Sequence, residues 1–225
     1  IAEAKGVVLM VGNVFVFNPG VLWVKEYIDS GALGRILHVS AQRTNLGPIR
    51  TDVNAAWDLA SHDVSILNFW LDSKPTAVSA RGGAWVNPGV ADAVFATMRY
   101  PDNVLAHVHA SWLEPRKVRL MTVVGEKGML TLDDMSTTEP VRLYDKGVVE
   151  QSDSDIIDTF GAFRTSLRNG DIRIPRVPGG EPLRNECEHF IAAVEGKVTL
   201  RAGPQEGVDV VEALEALQKS LDSDG

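Results

Sequence analysis

Asp58 and His62 are the two residues of this chain whose types and spacing are best suited to chemistry. They lie four positions apart in a segment whose pattern predicts a helix, and side chains at that spacing share one helix face. A neutral imidazole can take a proton from a hydroxyl group, and a nearby carboxylate can orient the imidazole or bind the substrate. The same spacing also occurs in solvated and structural pairs, so on its own it leaves both interpretations open.

A polar stretch leads into this predicted helix and carries further side chains suited to binding. They are Arg43, Asn45, Arg50 and Asn54. A guanidinium group binds phosphate or carboxylate through paired hydrogen bonds, and a carboxamide binds hydroxyl or amide groups. A solvated loop has the same composition, but this one runs directly into the helix with Asp58. We therefore predict that these four residues bind substrate.

Other polar residues are assigned to structural roles. His107 and His109 alternate along a predicted strand and so share one face. Two histidines on one face are possible metal ligands, but the sequence supplies no matching third ligand. We predict no metal site and interpret them as polar residues of an exposed or subunit-facing sheet surface. Asp63 and the Asp133-Asp134 pair are interpreted as cap or surface carboxylates.

Composition limits the classes of partner. The chain has 225 residues, of which 44% are hydrophobic and 23% charged, and its formal net charge is −8. This composition is typical of soluble globular proteins and disfavours binding to nucleic acid or to an anionic membrane. No apolar run is long enough to cross a bilayer and no signal peptide is recognisable, so the expected location is the cytoplasm.

The single cysteine and two tryptophans are predicted to be packing residues. One cysteine excludes an internal disulfide and fits a reducing compartment. Cys187 shares a helical stripe with Leu183, Ile191 and neighbouring apolar residues, which predicts that it is buried. Trp57 and Trp112 are interpreted as core residues rather than as stacking surfaces for a ligand.

The periodicity of the chain predicts an α+β fold. Residues 7–12 form an apolar run that is typical of a buried strand in a covered sheet. Helices are predicted at 18–30, 55–71, 182–195 and 204–221, and strands at 35–43, 77–85, 92–100, 104–112, 118–125, 129–133, 141–144 and 172–177. The short connections between successive strands indicate one broad, mostly antiparallel sheet, with helices on one face. Residues 152–180 are interpreted as a looser, polar segment.

No glycine-rich phosphate loop accompanies these elements. Gly82-Gly83 and Gly179-Gly180 lack the spacing and the strand-turn-helix setting of a dinucleotide fingerprint. The residues themselves therefore indicate no nucleotide cofactor site.

Several motifs in combination resemble the Gfo/Idh/MocA oxidoreductase family, which is named after relatives of glucose–fructose oxidoreductase and inositol dehydrogenase. The similarity covers nearly the whole chain, and its clearest parts are Leu9-Met10-Val11-Gly12, Phe17-Asn18-Pro19, Asn45-Leu46-Gly47, Trp57-Asp58-Leu59-Ala60-Ser61-His62-Asp63, His107-Val108-His109-Ala110-Ser111-Trp112 and Tyr144-Asp145-Lys146-Gly147. Within the family, the pattern is most similar to the branch that oxidises the 3-hydroxyl of UDP-N-acetylhexosamines or their uronates.

The resemblance implies a role for the chain as a substrate domain. Family members pair an N-terminal Rossmann domain with a C-terminal domain whose open sheet builds homodimers or homotetramers. Residues 1–18 would then be the end of the Rossmann-type domain, and residues 19–225 the substrate-binding and oligomerisation domain. His62 would take the hydroxyl proton as hydride leaves for NAD or NADP, and Asp58 would assist or bind substrate.

Departures from the family pattern set limits on that role. The family's glycine-rich loop and its Glu-Lys-Pro lysine belong upstream of Ile1, so we expect the cofactor to be bound mainly by a domain outside this chain. Asn13 stands where relatives often have histidine, and Ser61 replaces a usual proline or glycine. Because hydride transfer needs both partners within reach, we expect the chain alone to be inactive in redox chemistry.

Two other functions are compatible with the sequence. One is a non-catalytic domain that binds a sugar nucleotide or acts as a scaffold. The other is a metal-dependent hydrolase or isomerase that uses His62, His107 or His109 together with Asp58.

Overall fold

The framework of the protein is a broad sheet, seen in a computed structural model that describes residues 1–148 and 167–223. In these residues the sheet has eight strands in the order β2-β3-β4-β1-β5-β6-β7-β8. The strands are β1 (Ile36–Thr44), β2 (Ala77–Gly83), β3 (Ala93–Arg99), β4 (Leu105–Ser111), β5 (Val118–Gly125), β6 (Gly128–Asp133), β7 (Val141–Val148) and β8 (Leu167–Arg173). Only the β1–β4 pair among them is parallel. The predicted α+β class and mostly antiparallel sheet are confirmed.

Five α-helices accompany this sheet in the described residues. They are α1 (Ala2–Lys5), α2 (Pro19–Asp29), α3 (Ser61–Leu71), α4 (Pro182–Val194) and α5 (Pro204–Asp222). Asn18 caps α2, since its side-chain oxygen accepts a hydrogen bond from the backbone N–H of Gly20 at 2.8 Å. Pro19 follows at the first helical position, where its missing N–H costs nothing.

Alternation along the strands divides the sheet into a core face and an open face. In β4, Ala106 and Val108 are buried while Leu105 and His107, which alternate with them, are exposed. Helices α3 and α5 pack over the core face. Trp112 is 1% exposed, as predicted for a core residue, and Trp57 packs against the core from a partly buried position.

The predicted strand at residues 7–12 is wrong. This stretch is extended, but no ladder joins it to another of the described residues. Val7 is 60% exposed and Leu9 is 49% exposed, and the stretch is held at Val11, whose N–H donates to the carbonyl of Ala202 at 2.8 Å. Apolar composition favours a strand only where a neighbouring strand supplies hydrogen-bond partners.

The prediction for the α4 stripe is also wrong. Cys187 is exposed, and so are Leu183, Ile191 and Val194, whose exposed fractions are 55%, 58% and 59%. The helix forms as predicted, so the periodicity indicated the correct secondary structure. Its apolar stripe is exposed because none of the described residues covers it.

Two smaller points complete the fold. The predicted edge strand at 172–177 starts and ends earlier, at Leu167–Arg173, and much of the predicted loose segment lies outside the described residues. No helix within residues 1–148 and 167–223 combines the length and apolarity needed to span a membrane.

Candidate active site

A π-helical turn at Ala56–Ala60 leads directly into α3 and carries Asp58, while His62 lies in the first turn of α3. Single π turns inside helices occur often at functional sites. Asn54 starts the turn, because its side-chain oxygen accepts from the N–H groups of Ala56 and Trp57 at 3.1 and 3.2 Å. Its amide nitrogen donates to Gln218 at 2.7 Å, so both ends of the Asn54 carboxamide are engaged inside the chain.

The Asp58 carboxylate is fixed by two donors. The indole N–H of Trp112 donates to Oδ2 at 2.9 Å, and Nη1 of Arg50 lies 3.2 Å from Oδ1. Arg50 is held in turn by Asp52, at 2.9 and 2.6 Å. The side chain of Asp58 is 26% exposed, so the carboxylate is oriented by the protein and still reaches solvent.

His62 lies beside Asp58 but contacts a different set of groups. Its ring meets the Phe15 ring edge-on, with 4.7 Å between centroids and an angle of 63°. Burial lowers the pKa of His62 to about 4, the charges of Arg43 and Arg119 act in the same direction, and Asp58 opposes them. At neutral pH the imidazole is therefore uncharged and able to accept a proton.

Behind His62 lies a buried ion pair that the sequence did not reveal. Arg43 Nη2 and Nε lie 2.7 and 3.0 Å from Oδ1 of Asp63, and the two residues are 4% and 1% exposed. Burial raises the pKa of Asp63, and the charge and hydrogen bonds of Arg43 oppose that change. The interpretation of Asp63 as a cap or surface carboxylate is wrong. Arg43, predicted to bind substrate, instead uses its guanidinium inside the protein.

Arg119 completes the charged surroundings of His62 and was not predicted. It pairs directly with Arg43 across β1 and β5, and its Nη1 lies 3.2 Å from Asp134. Asp134 also accepts from the Asn18 amide at 2.7 Å, so it too is an internal partner rather than a surface group. The available signal was alternation, which places Arg119 on the core face with the buried Met121 and Val123.

The predicted substrate-binding residues therefore separate into two groups. Arg50 and Asn45 keep at least part of their side chains free, since Arg50 is 44% exposed at its side chain and Asn45 makes no side-chain hydrogen bond to any described residue. Arg43 and Asn54 are engaged internally. Asn54 and Trp57 line a different depression, which they share with Gly89 and Gln218.

A cavity of about 330 Å³ extends along α3 beyond His62. Ser65 and Phe69 line it, and they follow His62 by three and seven positions on the helix, which places all three on one helix face. Asn13 and Arg201 form part of the opposite wall. Small-molecule sites have this order of volume. Neither Asp58 nor His62 is among the residues that line the cavity, which begins about one helical turn along α3 from His62.

His107 and His109 lie on the open face of the sheet, opposite the core face over which α3 packs. The His109 ring stacks on Phe95 with 4.3 Å between centroids, and its Nε2 lies 3.2 Å from Glu114. Within the described residues, no three histidine, cysteine, aspartate or glutamate side chains are grouped as a metal site would require.

Comparison with known proteins identifies the family. Residues 21–131 match the family described as the GFO/IDH/MocA C-terminal domain, which confirms the predicted membership. Inositol 2-dehydrogenase 2 of Paenarthrobacter aurescens (strain TC1) is 24% identical over 235 residues, covering 100% of this chain and 64% of its own length. The chain spans about three fifths of the curated relatives it matches.

Solved structures of low identity share the fold. UDP-N-acetylglucosamine 3-dehydrogenase GnnA from Acidithiobacillus ferrooxidans superposes with a TM-score of 0.78 at 19% identity, over 99% of this chain and 65% of that chain. The WlbA dehydrogenase from Bordetella pertussis, in complex with NADH and UDP-GlcNAcA, gives 0.70 at 18% identity, over 99% and 63%. At these identities the likeness establishes the architecture of the chain.

Proposed function

We propose that this member of the GFO/IDH/MocA family is the substrate domain of an NAD(P)-dependent dehydrogenase that oxidises a hydroxyl group of a sugar or nucleotide sugar. The observation that carries the proposal is the uncharged His62 beside a fixed Asp58, about one helical turn from a cavity of about 330 Å³. Oxidation of a secondary alcohol needs a base for the O–H proton and an acceptor for the hydride from the same carbon. NAD(P)⁺, when bound, supplies the hydride acceptor.

His62 takes the hydroxyl proton in this proposal. Its imidazole is uncharged at neutral pH and its ring packs on Phe15, and within residues 1–148 and 167–223 no side-chain hydrogen bond occupies a ring nitrogen. As the proton leaves oxygen and hydride leaves carbon, the C–O single bond becomes a carbonyl. Arg119, whose positive charge acts on His62, would stabilise the negative charge that develops on an oxygen bound to His62.

Asp58 holds and orients the substrate beside this base. Trp112 and Arg50 fix its carboxylate, leaving part of it open to a sugar hydroxyl. Arg50 and Asn45 are the remaining binding candidates from the polar loop. Arginine suits a phosphate or carboxylate, which fits a nucleotide sugar or its uronate.

The narrower substrate proposal is the 3-hydroxyl of a UDP-N-acetylhexosamine or its uronate. It is supported by the similarity of the motifs around Asp58 and His62 to that branch of the family. Two of the structural neighbours are named as a UDP-N-acetylglucosamine 3-dehydrogenase and a dehydrogenase in complex with UDP-GlcNAcA.

The rest of the cofactor domain would pack against the exposed apolar residues of the stretch 7–11 and of α4. Val7, Leu9, Ile191 and Val194 are between 49% and 60% exposed there, and exposed apolar side chains of this number favour an interaction site. In this proposal residues 1–18 complete a Rossmann-type domain, and residues 19–225 form the substrate and oligomerisation domain. Phe95 and Leu105 on the open sheet face, 45% and 41% exposed, would meet a second copy in a homodimer or homotetramer.

Two measurements test the proposal. Isothermal titration of the chain with UDP-N-acetylglucosamine and with NADH, separately, is expected to show saturable binding of the sugar nucleotide and little binding of NADH. A dehydrogenase assay over a panel of UDP-sugars, with the chain fused to a cofactor domain, is expected to show NAD(P)H formation that His62→Ala abolishes. Sugar-nucleotide binding with no redox activity in the fused protein would favour the non-catalytic alternative.

A further inference from the structure

The Phe15 ring contacts His62 and two of the charged residues near it, Arg43 and Arg119. It belongs to the short turn Val14–Phe17. The guanidinium carbons of Arg43 and Arg119 lie 4.5 and 5.1 Å from its centroid, and the His62 ring lies 4.7 Å away, edge-on. A cation over an aromatic face is attracted by the ring quadrupole, and edge-to-face aromatic pairs have a preferred geometry. We call Phe15, Arg43 and Arg119 the Phe15 clamp.

Each arginine of the Phe15 clamp is held by an ion pair with a carboxylate. Arg43 is held by the buried Asp63. Arg119 is held by Asp134, and Asp134 accepts from Asn18, which immediately follows the turn with Phe15. The ring, the two arginines and the turn are thus tied into one network, so the face that Phe15 presents to His62 is set by contacts between distant parts of the chain.

The charges that face His62 come from three elements. Arg43 of β1 and Arg119 of β5 are positive, and Asp58 of the π turn is negative. Of the two arginines, Arg43 has an ion-pair partner that is fully buried with it, whereas the side chain of Arg119 is 31% exposed and that of Asp134 is 22% exposed. Arg119 is therefore the arginine whose charge can be removed without leaving a buried carboxylate unpaired.

We propose that Phe15 and Arg119 are positioning residues for His62: the ring fixes the orientation of the imidazole, and the guanidinium, held by Asp134, adds a positive charge on the same side of the ring. This inference rests on the proposed function in assigning His62 as the base. The clamp also disfavours retention of the proton, because the imidazolium would lie beside two guanidinium groups. The proton is then passed to water, which resets the base.

The test is a nuclear magnetic resonance titration of His62 in the 225-residue protein. The ring nitrogens are followed between pH 3 and 8 after ¹⁵N-histidine labelling, and His62 is assigned by its loss in His62→Gln. We expect an acid midpoint near 4 in the unchanged protein. Arg119→Gln should raise the midpoint by about one pH unit, since it removes a nearby like charge. Arg119→Lys retains the charge and should keep the midpoint low.

Phe15→Leu tests the ring itself. We expect it to raise the midpoint and to remove the ring-current shift of the His62 protons. Two matched controls lie elsewhere on the sheet: Arg142→Gln removes an exposed strand arginine, and Phe95→Leu removes the aromatic partner of His109. Both should leave the His62 titration unchanged, and Phe95→Leu should shift the resonances of His109.

Failure of this inference is distinguishable from failure of the proposed function. An unaltered His62 midpoint in folded Arg119→Gln overturns the positioning role, whatever the enzyme assay shows. If Phe15→Leu does not fold, the comparison of Arg119→Gln with Arg119→Lys decides. In the fused dehydrogenase, the acid limb of kcat/KM should move upward with the measured midpoint in Arg119→Gln, a shift that a merely structural role would not produce. A dehydrogenase whose acid limb stays in place in that variant also overturns the inference.

Discussion

His62 is predicted to make the folded protein sensitive to acid, and the size of the effect follows from its surroundings. The pKa of the imidazole is 6.5 in an unfolded chain and about 4 in the folded protein, mainly because of burial. Between these two values the unfolded chain binds a proton that the folded protein rejects. The free energy of unfolding therefore rises with pH across this window and falls as the solution is acidified from pH 6.5 towards pH 4.

The magnitude is worked from the same two pKa values. Each pH unit of difference corresponds to about 1.4 kcal/mol. At pH 4.5 the unfolded chain is almost fully protonated at this position and the folded protein mostly is not, so His62 lowers the free energy of unfolding by about 2.5 kcal/mol relative to pH 7. Replacing His62 with glutamine, which does not titrate, should remove this part of the acid sensitivity.

Urea unfolding at pH 7 and pH 4.5 measures the effect. At pH 7, His62→Gln should be less stable by about 1 kcal/mol, because it loses the edge-on contact with Phe15. At pH 4.5 the order should reverse, and the variant should be the more stable protein. His107→Gln, at an exposed position of the open sheet face, is the control for the loss of an imidazole as such. An identical pH dependence in His62→Gln and the unchanged protein would refute the reasoning.

Three further substitutions test separate parts of the site. Asp63→Asn leaves the Arg43 guanidinium buried without its counter-ion and should cost about 3 kcal/mol in a denaturation experiment, whereas Asp52→Asn, at an exposed ion pair, should leave the free energy of unfolding nearly unchanged. Trp112→Phe keeps an aromatic core residue but removes the N–H donor to Asp58, so kcat of the fused dehydrogenase should fall while the unfolding free energy changes by only about 1 kcal/mol; equal activity would show that this bond does not orient the carboxylate. Arg50→Gln should raise KM for a UDP-sugar more than it lowers kcat, since Arg50 is proposed to bind substrate rather than to take part in the chemistry; a change confined to kcat would contradict that role.

The sequence predicted the features that depend on local pattern, and it did not predict those that depend on contacts between distant residues. The strands of the antiparallel sheet were predictable because each one shows its buried face by alternation, as β4 does with Ala106 and Val108. Asp63 was misinterpreted because nothing near it in sequence shows that Arg43, twenty residues earlier, lies opposite it inside the protein. The same limit applies to Arg119, whose contact with Phe15 depends on how β5 and a distant turn pack together.

The predicted site shows the same difference between local pattern and long-range contact. Asp58 and His62 were expected side by side on an α-helix, and they are neighbours, but the π turn and the bonds to Trp112 and Arg50 direct the carboxylate away from a hydrogen bond with the imidazole. Asp58 therefore acts on His62 through space, as one negative charge against the two positive charges of Arg43 and Arg119. Its spacing in the sequence could place it near His62 but could not show which interaction it makes.

This balance of charge gives His62 a base strength that depends on what is bound. With the site open to solvent, burial and the two guanidinium groups keep the pKa of His62 low. An anionic substrate, such as a uronate or a nucleotide diphosphate placed beside Arg119, adds negative charge and excludes water, which strengthens that charge's effect on the imidazole. The pKa of His62 should then rise when the substrate binds, so that His62, in its proposed role as base, becomes effective only when there is a hydroxyl proton to remove. A neutral sugar would lack this effect, and the same ¹⁵N titration, repeated with UDP-glucuronate and with glucose, separates the two cases: equal midpoints would mean that substrate charge plays no part in setting the base.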